Sequence, residues 1–591
     1  MSLHGEHTHV PVPVLKAFEA AAKGKDFVDA ADFVCFLANV QGESNMTLEE
    51  AGTLIAKFAP TSHHLFSREK SDVLNLESFL KYLLDPTLNA ALVITHKPTH
   101  DMAAPLSHYY IHTSHNSYLT GNQLTSKSKS AAIVDALKSG CRVIELDCWP
   151  RGGNIMVLHG YTLTKSVAFE ECVQAIKDNA FVASEYPVII TIENHLDPAL
   201  QQKASQILRD IIGEALYIPK SHERPPKRFG SPEDLKGRII ISDKPPQETI
   251  GQVFEDPRGA LEALPPNRLD PDESSDDEKS SSSSEGVEDK FGPKVLKATA
   301  GVSAINITAA SSARQDVSKI PELEELIYIV CAKPCEMESN DNAGNLVSGE
   351  NVIMANMSEP QLKKSIAGNA ISIIEYTKNN LGRLYPFGLR FDSSNADPML
   401  AWSFGFQLAA INLQGKDRAC WIGRALFQAN GGCGYVKKPD VLLSSFPVND
   451  DMLPKPSPKT FLKVRVLMGT DWHKRFDLFT KPDFYVKVAM HGMGSDALKY
   501  RTEVAHRTRE PCWDGEEFKF PLRVPEIAII RFEVWECDRV KRDEFAGQAC
   551  FPVKELKPGI RVVPLNSRKG ILYGSKLLVQ FMMEPFKVSP S

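Results

Sequence analysis

The stretch "VIITIENHLDPALQQKASQILRDIIGEAL" (residues 188–216) sets a continuous β-branched run directly before a long helical pattern. An uninterrupted apolar strand is buried on both faces, as in a parallel sheet covered by helices. The texture repeats outward. Candidate strands are "YYIHTS" (109–114), "RVIELDCW" (142–149), "NIMVLHG" (154–160) and "RIIIS" (238–242), with the helical pattern "AFEECVQAIKDNAF" (168–181) among them. This alternation predicts parallel β/α units.

Beyond residue 248 the pattern breaks. "LDPDESSDDEKSSSSSEGVEDK" (269–290) is acidic, serine-rich and has almost nothing to bury, so it reads as a disordered linker. Strand texture restarts at "ELIYIVCAKP" (325–334) and continues through "FGFQLAAINLQ" (404–414). One barrel carrying an insert is more economical than two half-barrels, because neither half alone closes a sheet. The expected fold is therefore an α/β TIM-type barrel split by a disordered acidic linker, with further domains at both ends. The boundaries read as 1–100, 105–248, 249–318 (linker), 319–445 and 458–588.

The first hundred residues read as a helical lobe. "TLEEAGTLIAKF" (47–58) opens with a capping box from Thr47 to Glu50, and "NLESFLKYLLDP" (75–86) aligns Leu76, Phe79, Leu80, Leu83 and Leu84 before a proline. Such helix pairs resemble an EF-hand lobe. The calcium-loop pattern of spaced Asp and Asn with a terminal Glu does not occur, so calcium is not expected there. From about 460, "FLKVRVLMG", "FYVKVAMHG", "EEFKFPL" and "IIRFEVWECD" are short alternating strands without intervening helices, the signature of an antiparallel sandwich.

Bulk composition narrows the partners. With 68 Lys and Arg against 74 Asp and Glu the net charge is −6, so no global attraction to polyanions follows and no nucleic-acid partner is expected. Eleven scattered cysteines show no paired zinc spacing. Their odd count, the lack of a signal peptide and the lack of a spanning apolar run suggest a reducing cytoplasmic setting.

Glu145 and Asp147 sit two apart on one strand and so share a face. Adjacent carboxylates repel unless a cation or proton lies between them. The alternative reading is a pair of surface salt bridges, although Ile144, Leu146, Cys148 and Trp149 suggest burial. Glu193 ends the strand that opens this section, His115 and Asn116 follow "YYIHTS", and His159 follows "NIMV". Active sites of parallel barrels assemble at the carboxyl ends of strands. Three carboxylates and a carboxamide make an oxygen cage for calcium or magnesium, flanked by two histidines. Such a set suits metal-dependent phosphoryl chemistry.

Seven motifs in order then carry a resemblance: "HTSHNSYLTGNQL" (112–124), "GCRVIELDCW" (140–149), "LHGYTLT" (158–164), "YPVIITIENH" (186–195), "LKGRIIIS" (235–242), "LGRLYPFGLRFDSSNADPMLAW" (381–402) and "ANGGCGYVKKP" (429–439). The chain resembles eukaryotic phosphoinositide-specific phospholipase C: EF-hand-like lobe, X region, linker, Y region and C2 domain. No lipid-binding domain precedes the lobe, as in plant members. The resemblance implies calcium ligation by Asn116, Glu145, Asp147 and Glu193, phosphate stabilisation by His115, and protonation of the diacylglycerol oxygen by His159. Glu145 is the better candidate for the base. Lys244, Ser358, Arg383 and Tyr385 match the ring-recognition positions. Animal relatives carry two lysines at K-x-K where this chain reads Ser242-Asp243-Lys244, so one phosphate-binding lysine is missing and the pocket is expected to offer Lys244 with an adjacent Asp243, unless Arg390 in "PFGLRFD" reaches in and restores the charge.

In the C2-like module Asp477, Asp483, Glu536, Asp538, Asp543 and Glu544 fall in the two loops that usually hold calcium, with Glu536 where Asp is usual. Ions bound there would bridge to anionic lipid. The resemblance implies a calcium-dependent enzyme acting on phosphatidylinositol 4,5-bisphosphate, and on the 4-monophosphate. Its products are diacylglycerol and inositol phosphates in lipid signalling. It further implies a cytoplasmic protein recruited peripherally to the plasma membrane, with the acidic linker as a brake or an inert tether. The rival readings are a catalytically silent lipid binder and a C2-anchored scaffold. Silent relatives lose a catalytic histidine or a metal ligand, and here all are present.

Overall fold

The structure, a computed structural model, describes residues 10–58, 72–220, 224–244, 319–331, 351–444 and 457–586, apart from residues 94, 96, 473–475, 477–480, 514–515 and 539–541. The acidic stretch 269–290 and Asp477 lie outside the described residues.

Eight parallel strands form the central barrel: β1 (Thr113–Ser114), β2 (Val143–Arg151), β3 (Val188–Asn194), β4 (Ile239–Lys244), β5 (Ile327–Ile329), β6 (Met354–Ser358), β7 (Leu381–Tyr385) and β8 (Leu408–Ile411). The X half supplies β1–β4 and the Y half β5–β8. A parallel bridge from Cys331 to Met354 joins β5 to β6, and β8 pairs with β1, so neither half is complete without the other.

One departure concerns "NIMVLHG". Its strand, Asn154–Val157, pairs antiparallel with the far end of β2 as a hairpin and is not a barrel strand. The two-glycine turn at Gly152 and Gly153, both at positive φ, makes the reversal possible. His159 therefore reaches the site from a rim hairpin.

Strand register explains the placement of the polar residues. Inward positions alternate along each strand, and their chemistry changes with height. The floor is apolar: Val143, Ile189, Ile240, Ile329, Met354, Leu381 and Leu408 share one cluster. Two residues further on come Glu145, Thr191 and Ser242 in mutual register, with Arg383 and Asn356 on the other half. Two residues beyond lie Asp147, Glu193 and Lys244, with Ser358 opposite Tyr385. Outward positions such as Ile144, Leu146, Ile190, Ile192 and Ile241 pack beneath the helices. The barrel is thus an apolar plug capped by two ionic layers.

The other domains brace it. Four helices, Val12–Ala22, Ala30–Asn39, Leu48–Phe58 and Leu76–Leu83, form the amino-terminal lobe. The expected capping box is present: Glu50 accepts from Thr47 N at 2.9 Å and donates its own N–H to Thr47 Oγ1 at 3.2 Å. Eight antiparallel strands from Thr460 to Pro585 make the carboxyl-terminal sandwich around a core rich in Phe and Val. That sandwich touches both neighbours. Arg418 of the barrel forks onto Glu533 at 2.8 and 3.1 Å, and Gln41 of the lobe exchanges hydrogen bonds with the backbone of Ile560 at 2.7 and 2.8 Å.

Candidate active site

Glu145, Asp147 and Glu193 converge at the barrel mouth, with ligand atoms within 4.8 Å of one another; among the described residues this is the one such trio of acidic, His or Cys side chains. All three are buried. Lys244 Nζ lies between them, 2.6 Å from Glu145 Oε1, 4.0 Å from Asp147 Oδ1 and in contact with Glu193. Arg383, fully buried, approaches Glu145 Oε2 at 2.8 Å. Two cations therefore face three carboxylates in a site with almost no water contact.

The protonation pattern follows. Burial alone would raise the Glu145 pKa, but Arg383 and Lys244 hold it well below the usual carboxylate range. Burial and the Glu193 charge push Asp147 up. Burial opposes the Lys244 charge, yet the carboxylates outweigh it and raise that pKa. Burial depresses both histidines, His115 to about 4, so each is neutral before substrate binds.

Neighbours orient each group. Asn116 has φ of 43°, the left-handed region that asparagine tolerates, and this turns the chain just after β1. Its N–H donates to Glu145 Oε2 at 2.9 Å. Tyr118 donates its hydroxyl to Asp147 Oδ2 at 2.8 Å. His195 Nε2 meets Glu193 Oε1 at 2.7 Å, and its ring stacks on Trp149 with centroids 3.6 Å apart. Gly160 permits that stack, since a Cβ there would fall 2.0 Å from the Trp149 ring. His115 Nδ1 pairs with Asn412 Oδ1 at 2.9 Å, and His159 Nδ1 donates to the Gln123 carbonyl at 2.7 Å.

The residues present fit a hard cation. Asn116 Oδ1 and Asp147 Oδ1 are buried acceptors without a hydrogen-bond partner, on residues that line the same pocket as Glu193. Orphaned oxygen acceptors beside anionic oxygens are the donor set calcium takes.

The structure brings together His115, Asn116, Glu145, Asp147, His159, Glu193, Lys244 and Arg383. Ser358 and Tyr385 cap the β6–β7 side of the same mouth, with the Arg383 guanidinium 5.9 Å from the Tyr385 ring centre. One expectation changes. Asp243 does not share the pocket with Lys244: as the intervening residue of β4 it faces outward, accepts from Cys331 N at 2.6 Å and pairs with Lys319. Lys244 itself sits within the carboxylate trio, whereas Arg390 lines the pocket, held by Glu359 at 2.9 Å. The sequence reading assigned no role to Tyr118, Gln123, His195 or Asn412. Tyr118 and Gln123 lie inside the quoted motif 112–124, so their position was visible although their partners were not.

In the sandwich, Asp483, Glu536, Asp538, Asp543 and Glu544 are described. Asp483 accepts from Arg507 N at 2.6 Å and meets His506 Nδ1 at 3.0 Å, while Asp543 accepts the Tyr485 hydroxyl at 2.6 Å. Glu536 and Glu544 stand directly opposite on paired strands.

Comparisons with known proteins agree with this geometry. Family models match in chain order: the phosphoinositide-specific phospholipase C EF-hand-like region at 12–90, the phosphatidylinositol-specific phospholipase C X domain at 102–245, its Y domain at 326–441, and a C2 domain at 460–564. Phosphoinositide phospholipase C 4 of Arabidopsis thaliana is 39% identical over 95% of this chain and 94% of its own length. Phosphoinositide phospholipase C 2 of the same plant is 41% identical over 92% and 91%. The mouse 1-phosphatidylinositol 4,5-bisphosphate phosphodiesterase delta-3 is 31% identical over 94% of this chain and 66% of its own. The crystal structure of L. pealei PLC21 shares the fold, with a TM-score of 0.71 at 24% identity over 98% of this chain and 69% of that one. No helix among the described residues is long and apolar enough to cross a membrane. With relatives of this identity matched over nearly their full length, the chain belongs to the phosphoinositide phospholipase C family.

Proposed function

We propose that this chain is a calcium-dependent phosphodiesterase that cleaves phosphatidylinositol 4,5-bisphosphate, and the 4-monophosphate, to diacylglycerol and inositol phosphates at a membrane surface. The observation that carries this reading is the buried trio Glu145, Asp147 and Glu193 beside two orphaned acceptors and between two histidines.

Asn116, Glu145, Asp147 and Glu193 would hold the cation. Bound there, calcium supplies charge stabilisation at the phosphate and a lowered pKa for the attacking inositol 2-hydroxyl. Glu145, kept ionised by Arg383 and Lys244, is in the form a base needs to take that hydroxyl's proton. As the hydroxyl oxygen bonds to phosphorus and the bond to the diacylglycerol oxygen breaks, His159, which takes up a second proton when the anionic phosphodiester binds beside it, donates that proton to the leaving oxygen. Its Nδ1–H is committed to the Gln123 carbonyl, so Nε2 is the nitrogen that exchanges protons with substrate. His115, anchored likewise through Nδ1, turns Nε2 to the five-coordinate phosphate. Water then opens the cyclic phosphate, with His159 returned to its basic form. With a cation held by the carboxylates, Lys244 and Arg383 would be available to ring phosphates, and Ser358 and Tyr385 would complete the ring contacts. Exposed Tyr161 and Leu163, 70% and 69% accessible in the loop after His159, give the mouth an apolar rim suited to a lipid surface. The C2 carboxylates would hold further calcium against anionic headgroups, placing the protein peripherally at the plasma membrane.

Release of inositol phosphates from mixed phosphoinositide vesicles, with calcium varied, tests the reading. Calcium-dependent release from the wild-type protein, lost in His159→Ala, supports it. Vesicle binding without release would leave a silent lipid binder.

A further inference from the structure

Gln123 is 5% exposed and joins three groups of the site by three different atoms. Its Oε1 accepts from Asn116 Nδ2 at 2.9 Å. Its Nε2 donates to Asn412 Oδ1 at 3.1 Å, the oxygen that also meets His115 Nδ1. Its main-chain carbonyl accepts from His159 Nδ1.

The direction of every bond is fixed from outside. Ser393 donates its hydroxyl to the Gly121 carbonyl at 2.8 Å, so its oxygen is left to accept from Gln123 Nε2 at 2.7 Å. That choice turns Gln123 Oε1 towards Asn116, which must then present Nδ2 to it and leave Oδ1 as the buried acceptor without a hydrogen-bond partner. On the other branch, Asn412 Nδ2 donates to the Ser394 carbonyl at 3.3 Å, leaving Oδ1 to accept from both Gln123 and His115. His115 is thereby held as the Nδ1–H tautomer. Gln123 also crosses the two halves of the barrel, donating its N–H to the Phe391 carbonyl at 2.8 Å.

We propose that Gln123 is a positioning residue that sets the amide orientation of Asn116 and the tautomer of His115 together, so that the cation site and the phosphate-facing histidine form as one unit. The inference rests on the functional reading above and goes beyond it, because it assigns the alignment of both groups to a side chain that is neither among the cation ligands nor among the ring contacts named there. Removing an outer partner of this kind costs about 10–100-fold in affinity or activity.

The decisive variant is Gln123→Ala in the full chain. It deletes the side-chain branch and leaves the carbonyl that holds His159. Three readouts apply: calcium affinity by calorimetry without lipid, ring-nitrogen NMR shifts of the histidines without calcium, and kcat and KM on vesicles. Expected are about tenfold weaker calcium binding, loss of the single-tautomer signature of His115 with that of His159 unchanged, and a lower kcat at near-constant KM. Ser393→Ala, which removes only the acceptor that orients the Gln123 amide, should move calcium affinity and the His115 signal in the same direction by less, and it carries the test if Gln123→Ala does not fold. Wild-type calcium affinity and an unaltered His115 spectrum in the folded variant overturn the proposal. So does a change of both histidines together, which marks collapse of the whole mouth. The first two readouts need no lipid, so failure of the hydrolase reading would show separately, as a wild-type protein without calcium-dependent release.

Discussion

Carboxylates crowd together in two places, the barrel mouth and the loops of the C2 sandwich, and the chain keeps them there by different means. In the sandwich the donors are local: Arg507 N and His506 serve Asp483, while the Tyr485 hydroxyl and Asp538 N serve Asp543. In the barrel Glu145, Asp147 and Glu193 are balanced by two buried cations, and Asp147 Oδ1 and Asn116 Oδ1 stay without a hydrogen-bond partner. Loop carboxylates near solvent can be satisfied piecemeal. Carboxylates on rigid strand ends, removed from water, leave a residual demand that a cation meets.

The largest effect is expected from Glu145→Gln, which removes one anionic ligand and leaves Arg383 and Lys244 facing a neutral amide. Turnover should fall about 10²–10³-fold and the calcium midpoint should rise. Initial rates across a calcium titration read both. An unshifted midpoint would remove Glu145 from the cation site and erase the contrast with the C2 loops.

Lys244→Met sharpens the comparison from the opposite side. Without calcium the trio loses its central counter-charge, and an uncompensated buried ionic group costs about 3–5 kcal/mol. Melting should therefore drop in chelator and recover with calcium by more than the wild type gains. Equal calcium-induced shifts in both proteins would mean that Lys244 is not the stand-in for the ion.

Much of this was legible in the sequence because strand geometry is simple. The spacing of Glu145 and Asp147 placed them on one face, and the strand ends pointed to the mouth. The helical lobe, the barrel and the sandwich followed from periodicity alone. What was not legible depends on long-range register. Nothing in "IIISDK" says that Lys244 reaches into the trio, because its partner Glu145 lies 99 residues away. The hairpin origin of His159 was hidden because a four-residue strand looks the same in either orientation. Asp243 was misplaced by reading neighbours in sequence as neighbours in space, although adjacent strand residues face opposite ways.

A third effect, intermediate in size, concerns ring-phosphate preference. Ser242 is fully buried one layer beneath Lys244, level with Glu145. A lysine there would add a cation beneath the mouth. Ser242→Lys should raise the ratio of specificity constants for the bisphosphate over the 4-monophosphate by roughly tenfold, the value of one charge-assisted contact. A flat ratio would assign the second cation to Arg390, which already lines the pocket.

The smallest effect is expected in the sandwich, from Asp543→Asn. The asparagine can keep Oδ1 accepting the Asp538 N–H while Nδ2, in place of Oδ2, donates to the Tyr485 hydroxyl oxygen, so both contacts persist with one reversed in direction. What is lost is one negative charge beside the opposed pair Glu536 and Glu544. If calcium bridges that cluster to anionic lipid, one charge near the surface is worth about 1 kcal/mol, or about fivefold in calcium-dependent binding to phosphatidylserine vesicles. Turnover on a soluble, lipid-free substrate should not change, because the barrel keeps its own ligands. Co-sedimentation with vesicles, run beside a soluble-substrate assay, separates the two. A loss on soluble substrate as large as that of Glu145→Gln would show the two acidic clusters to be coupled rather than independent, and would end the distinction between them.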